Sequence, residues 1–314
     1  MPPNKPLVRN HVPSAHAVTV VVSLTLGMIL QTTSQAVAPP PFRWIEQAGS
    51  TFDDYCRGIA VDGAGNSYVT GSFHDLATFG STNITSSGGL DIFVAKYDNA
   101  GNLLWLNQAG SSGWDDYGLS IALDAAGNSY VTGAYSGDAA FGTNTLNNLG
   151  GSAIFIAKYD TDGNLLWAVP AGGTSLNGGR SIAADAAGNS YVTGYFQSVG
   201  SFGTSNQVTL TTTAVSDFDI FVAKYDLTGE LVWVRRAGGN GFDVGYGIAV
   251  DGASNNLVTG YFAGATAAFG SITLNNSGGV LATNDIFVAK YDPAGNVLWA
   301  KPAGGTGVDE GYAI

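Results

Sequence analysis

The chain has a single cysteine, Cys56, in 314 residues. No intrachain disulfide can form, so stability must come from packing. Histidine is scarce too: only His74 lies beyond the first 38 residues. A zinc cluster or a Ser-His-Asp arrangement needs more than that, and neither is expected. Charged residues make up 11%, with 12 basic against 24 acidic. Nucleic-acid binding relies on Lys and Arg neutralising phosphates, so an acidic chain is not expected to bind DNA or RNA. No amphipathic run is long enough to claim a helix. Nor does a Gly-rich loop stand between strand and helix to cradle phosphate. Sparse charge does not mean disorder, because a chain that is 45% hydrophobic is too apolar to stay unfolded.

What the chain has in abundance is repetition. GNSYVTG occupies Gly65–Gly71, Gly127–Gly133 and Gly188–Gly194, and NNLVTG follows at Asn255–Gly260. A second signature travels with it: DIFVAKYDNAGNLLW at Asp91–Trp105, AIFIAKYDTDGNLLW at Ala153–Trp167, DIFVAKYDLTGELVW at Asp219–Trp233 and DIFVAKYDPAGNVLW at Asp285–Trp299. Successive tryptophans are 62, 66 and 66 residues apart. Self-similarity at a near-fixed period marks a repeat architecture.

The first 38 residues are different in kind. Lys5 and Arg9 make a basic start, Ala17–Leu30 is mostly apolar, and Ser34–Ala38 supplies small residues for cleavage after Ala36 or Ala38. This is the layout of a secretory signal peptide; a membrane anchor needs about 20 apolar residues. Removing Lys5 and Arg9 leaves 10 basic against 24 acidic residues, a balance of −14. After cleavage no membrane span is expected, and the protein is expected to be secreted or at the cell surface. The organisation reads as 1–38 signal peptide, 39–41 Pro linker and 42–314 repeats. These divide into 42–108, 109–170, 171–236 and 237–302, with a fifth begun at 303–314.

Each repeat reads as four strands, a to d. In the first they are Gly58–Asp62, Ser67–Phe73, Asp91–Tyr97 and Leu103–Gln108, short runs rich in Val, Ile, Phe, Tyr and Thr between Gly, Asn and Asp clusters. Ile92-Phe93-Val94-Ala95 and Leu103-Leu104-Trp105-Leu106 do not alternate with polar residues, which implies sheets covered on both faces. Four-stranded sheets repeated and covered on both sides are blades of a β-propeller. A β-solenoid is the runner-up, although its coils are usually shorter. The fold class expected is therefore all-β.

The a–b turns (GAGN, AAGN, AAGN, GASN) and c–d turns (NAGN, TDGN, LTGE, PAGN) place Gly where a type I turn ends in a left-handed residue. Ser254 stands where the other a–b turns have Gly, and a positive φ there would cost about 1 kcal/mol. The b–c connection is long and always contains Phe-Gly (Phe79, Phe141, Phe202, Phe269). A loop of that length is expected to hold a short extra strand.

On GIAVD-x-x-GNxYVTG the chain resembles the β-propeller repeat (SBBP repeat) family of exported bacterial proteins, and more distantly the NHL-type blade. The resemblance runs from about Trp44 to Ile314. It implies architecture and location and supplies no catalytic residues. The long b–c insert is a departure from a minimal blade. Phe42–Gln47 reads as a lone strand d and Gly311–Ile314 as the start of a fifth strand a. Either four oversized blades close, or the chain is an incomplete piece of a larger ring, which is favoured.

In a meander the b–c inserts and d–a connections share one end of every blade, and binding concentrates on such loops. Five residues before each strand-a Ile come Asp54, Asp116, Asn177, Asp243 and Asp309. A circle of carboxylates could hold Ca²⁺, the one cofactor considered, but one carboxylate per blade is sparse for six to eight oxygens. The favoured reading is that each bonds its own turn. Asp160–Asn164 resembles the start of an EF-hand loop without its ligand series and reads as turn chemistry. Trp44, Trp105, Trp167, Trp233 and Trp299 are expected between blades. Trp114 breaks the pattern on the loop face and is a candidate for a sugar or partner. Lys96, Lys158, Lys224 and Lys290 read as structural.

The functional expectation is an exported, non-catalytic propeller used for binding, adhesion or surface assembly. Its partner would be an extracellular protein or glycan, and open blade ends would allow self-association. The alternative is a polysaccharide lyase or hydrolase on the same loop face. Non-repeated acids or tyrosines converging in one pocket would favour the enzyme.

Overall fold

The computed structural model describes residues 18–20, 43–148, 150–278 and 283–314. Among them every helix or strand element is a β-strand. β1 (Val18–Val20) pairs antiparallel with β2 (Glu46–Gly49). The rest of the stretch read as an export leader, and the Pro linker after it, lies outside the described residues.

The first repeat holds β3 (Tyr55–Val61), β4 (Ser67–Phe79), β5 (Thr82–Tyr97) and β6 (Leu103–Ser111). In the second come β7 (Tyr117–Leu123), β8 (Ser129–Ser136), β9 (Ala139–Phe141), β10 (Asn144–Leu146), β11 (Ser152–Tyr159) and β12 (Leu165–Gly172). The third has β13 (Asn177–Ala184), β14 (Ser190–Gln197), β15 (Val199–Phe202), β16 (Val208–Thr211), β17 (Phe218–Tyr225) and β18 (Leu231–Gly239). The fourth runs through β19 (Val244–Val250), β20 (Asn256–Phe262), β21 (Thr266–Phe269), β22 (Ile272–Asn275), β23 (Asp285–Tyr291) and β24 (Val297–Ala303).

Each repeat is an antiparallel a-b-c-d meander, and the register repeats with it. Lys96, Lys158, Lys224 and Lys290 on strand c stand opposite Trp105, Trp167, Trp233 and Trp299 on strand d, with a bulge after each lysine. The threonine of YVTG donates its hydroxyl to the carbonyl of the strand-c phenylalanine at 2.8–2.9 Å in all four repeats. Type I turns with a left-handed fourth residue close the hairpins, as Asp62, Gly65 and Asn66 show. Ser254 takes φ 59° where its counterparts are glycine, the strained conformation expected of it.

The b–c insert forms two strands where one was expected, and they join a different sheet. β9, β15 and β21 pair with β6, β12 and β18, the strand d of the preceding repeat. In the first repeat the tip of β4 does the same to β2. An outer strand would otherwise leave a row of unpaired amides and carbonyls; here the next repeat covers part of it. The recurring Phe-Gly supplies the anchor. Phe79, Phe141, Phe202 and Phe269 are buried and lie 4.8–5.0 Å, ring to ring, from the strand-c Phe93, Phe155, Phe221 and Phe287.

The hydrophobic core lies between blades. Ile92 and Val94 pack toward the second repeat with Ile121, Val131 and Phe155, whereas Phe93 and Ala95 pack on the opposite side with Val69 and Phe79. One strand thus feeds two interfaces, which explains its unbroken apolar run. In the first three repeats the tryptophan of strand d reaches the c–d hairpin of the next repeat. The Trp105, Trp167 and Trp233 indoles donate to the carbonyls of Thr161, Leu227 and Pro293 at 3.0–3.1 Å. Of the five tryptophans expected between blades, Trp233 is fully buried and the others are half-buried, because their outer edges reach the rim.

Strands a of successive repeats pack on one another. Asp309–Ile314 takes the same place against the fourth repeat: the vacant Cβ position of Gly247 faces Ala313 and Ile314, as that of Gly58 faces Ser120 and Ile121. Among the described residues no strand pairing joins the first repeat to the fourth.

Candidate functional site

The recurring acids lie at the loop end of the blades, where the meander placed them, but Asp54, Asp116, Asn177 and Asp243 are buried in their own junctions and Asp309 is half-buried. Asp116 accepts the backbone N–H of Ser111 at 2.6 Å and of Ser136 at 2.8 Å. Asp243 accepts those of Gly239 and Ala263 at 2.6 and 2.8 Å. Asp54 takes the N–H of Ser50 and His74, and Asp309 that of Gly305. Asn177 reverses the polarity, donating its amide to the carbonyls of Ser152, Gly173 and Ser175. Each side chain therefore ties a d–a turn to the strands beside it. Burial pushes the Asp116 carboxyl up to about 6 and the Asp243 carboxyl up to about 8. Among the described residues no three His, Cys, Asp or Glu side chains are grouped to hold a metal ion.

The lysines read as structural sit over aromatic faces. The ammonium groups of Lys96, Lys158 and Lys224 stand 4.7–5.0 Å from the rings of Tyr68, Tyr130 and Tyr191. Lys290 pairs with Asp251 at 2.8 Å. The first three contacts staple strand b to strand c, and the fourth ties strand c to the a–b turn, all near the tight-hairpin end and away from the long loops.

The arrangement that sequence reasoning missed lies on the inner strands. Three residues past each recurring acid, the equivalent positions hold Arg57, Leu119, Arg180, Tyr246 and Tyr312. Arg57 lies over the ring of Tyr55 at 4.8 Å. The Arg180 guanidinium is held by two rings, 5.2 Å from Tyr195 and 5.6 Å from Tyr246. Its Nε is buried without a hydrogen-bond partner. Neither arginine forms an ion pair among the described residues. A cleft of about 420 Å³ lies between them, walled also by Asp115, Tyr117 and Tyr195. Asp115 accepts the N–H of Leu90 at 2.9 Å and the hydroxyl of Tyr117 at 3.2 Å. Burial and the Asp115 carboxylate raise the Tyr117 pKa, so the hydroxyl is a donor and not a base.

Trp114 adjoins this cleft. It is 65% exposed and borders a second groove of about 430 Å³ that shares Ser136, Ser152 and Leu176 with the first. The two form one trough across the first three repeats. Its legible signal was the departure from repetition: Trp114 occupies a d–a connection one residue longer than the others, and unlike residues stand at one repeat-equivalent position of strand a.

A family model described as a β-propeller repeat, SBBP, matches residues 43–72. An uncharacterised WD repeat-containing protein of Acanthamoeba polyphaga mimivirus is 28% identical over 276 residues, covering 74% of this chain. The chain spans 20% of that relative's length. A solved structure of a protein of unknown function from Bacteroides caccae aligns at 12% identity and TM-score 0.36, over 79% of this chain and 82% of that one.

Proposed function

Because the chain is a β-propeller repeat protein with an SBBP repeat at residues 43–72, we propose that it is a non-catalytic binding scaffold whose ligand face is the loop end. The observation that carries this reading is the trough of Arg57, Arg180 and Trp114 on rigid inner strands and short turns. Sites held on a rigid scaffold lose little entropy on binding, and unpaired arginines with exposed aromatics are the side chains on which binding energy concentrates. The leader-like 1–38 supports placing the protein outside the cell, where its partner is an extracellular glycan or protein and where adhesion or surface assembly is its use. No bound cofactor is invoked for this role.

A second reading draws on one specific observation: Asp115, Tyr117 and Tyr195 converge with two arginines in one cleft, as a lyase or hydrolase site would. Against it, burial and then the Asp115 carboxylate raise the Tyr117 pKa, and a phenol so shifted is poorly suited to abstract a proton.

The test is a panel of extracellular glycans and proteins presented to the full chain, with Trp114→Ala as the loop-face variant and Asp162→Asn as the hairpin-face control. Binding lost in the first and kept in the second supports the reading. Equal loss in both, or release of shortened or unsaturated sugar from any bound glycan, overturns it.

A further inference from the structure

Resting on that binding reading, we infer that the trough between Trp114 and Arg180 takes a carboxylate-bearing sugar, a uronate within an acidic glycan. The argument starts from charge. In a chain with 24 acidic residues against 12 basic, an arginine left without an ion pair in a cleft is unusual, and among the described residues this cleft holds two. Arg180 is positioned by rings on two sides, which leaves the edge of its guanidinium free. A planar guanidinium fork held in place matches a carboxylate with two parallel hydrogen bonds.

The remaining walls limit what else the ligand carries. Asp115 and the Tyr117 hydroxyl stand within the same cleft, an acceptor and a donor suited to hydroxyl groups. The Asp115 charge and the acidic surface oppose a dense polyanion, so one isolated carboxylate among hydroxyls fits better than a run of phosphates. Trp114, exposed at the adjoining groove, offers a flat face for the apolar side of a neighbouring sugar. The combined space, about 420 and 430 Å³, suits a ligand of two or three sugar units.

The experiment is calorimetric titration of the full chain with trigalacturonate and with neutral trigalactose at low salt. Trigalacturonate is expected to bind at least about tenfold more tightly, a difference of about 1.4 kcal/mol. Arg180→Gln should erase that preference while neutral binding stays, and Trp114→Ala should weaken both sugars. Arg57→Gln, on an exposed side chain, repeats the test if Arg180→Gln does not fold, as judged by its circular dichroism. Equal affinity for the two sugars, abolished by Trp114→Ala, would overturn the uronate class and leave the binding reading standing. Absence of heat with either sugar also overturns the uronate class; the panel described above then decides the binding reading by itself.

Discussion

A β-carbon placed on Gly238 would stand 2.5 Å from Asp243 Oδ2 and 3.0 Å from Asp219 Oδ1, so two buried carboxyls face each other across a bare α-carbon. The pattern recurs at Gly304 with Asp285 and Asp309, at 2.5 and 3.1 Å. Oδ1 of Asp91, of Asp219 and of Asp285 is buried with no hydrogen-bond partner. Between the second and third repeats both acids are absent together: Ala153 replaces the strand-c Asp and Asn177 the strand-a Asp. The chain thus carries charged and uncharged versions of the same junction.

That pairing predicts a stability that falls as pH rises. Burial pushes Asp243 up to about 8, and Asp116 and Asp219 up to about 6, from 3.8. A carboxyl with a raised folded-state pKa contributes fully below the unfolded value, near 3.8. Its contribution is lost as pH climbs to the folded value. The window therefore runs from about pH 4 to pH 8. Hairpin acids act oppositely: hydrogen bonds hold Asp98 and Asp160 below the ordinary range, mainly through Asn102 and Asn164, and their contribution is lost as pH falls through 4. Thermal unfolding should peak in mildly acidic buffer. Asp219→Ala with Asp243→Asn, copying Ala153 and Asn177, should raise the Tm at about pH 8 and flatten the decline. One pKa unit is worth about 1.4 kcal/mol, so the effect should exceed the roughly 0.5 kcal/mol of an ordinary surface change. A parent as stable at pH 8 as at pH 5 would contradict it.

Trp167 packs its ring on Gly229 of the next repeat and donates its indole N–H to Leu227. Trp167→Ala removes both contacts and should cost about 3 kcal/mol, the low end for a large truncation because the ring is half-buried. Trp114→Ala, at an exposed position, should stay within about 0.5 kcal/mol. Denaturant midpoints of the two variants check this, and equal losses would mean the repeat geometry is wrong.

Ser254 adopts φ 59° in the turn where Gly65, Gly127 and Gly188 stand. A left-handed non-glycine residue costs roughly 1–2 kcal/mol, and glycine removes that cost while giving the unfolded chain more freedom to lose. Ser254→Gly should therefore stabilise by up to about 1 kcal/mol. A lower Tm would show that the Ser254 side chain contributes something the backbone argument omits.

How much of this was readable beforehand follows from what a repeat can encode. Strand order, turn type and the interblade lysines and tryptophans are specified four times over, so each copy corroborates the others. The partner of the b–c insert was not readable, because Phe141 pairs with Ala109 at the end of β6, the strand d that precedes its own blade, and no local pattern names a non-local edge. Arg57 and Arg180 escaped notice for the opposite reason. Repetition draws the eye to what recurs, and the trough is built from positions where the repeats disagree. Trp114 was legible because it interrupted a pattern.

The last prediction concerns the outer face of strand β3. Ile59 is 47% exposed, whereas its counterparts Ile121, Ile182 and Ile248 are 4–6% exposed because the preceding strand a covers them. Val61 and Tyr55 widen the same surface, which is uncovered among the described residues. A repeat array buries its apolar faces only against neighbouring repeats, and an uncovered patch of this sort favours association. Light scattering of the full chain should show a mass that rises with concentration. Ile59→Lys with Val61→Lys should lower that mass, since both side chains point away from the interface that holds the first two repeats together and neither is needed for it. A clean monomer across concentrations would mean that this face is covered within one chain, and the proposed self-association would be wrong.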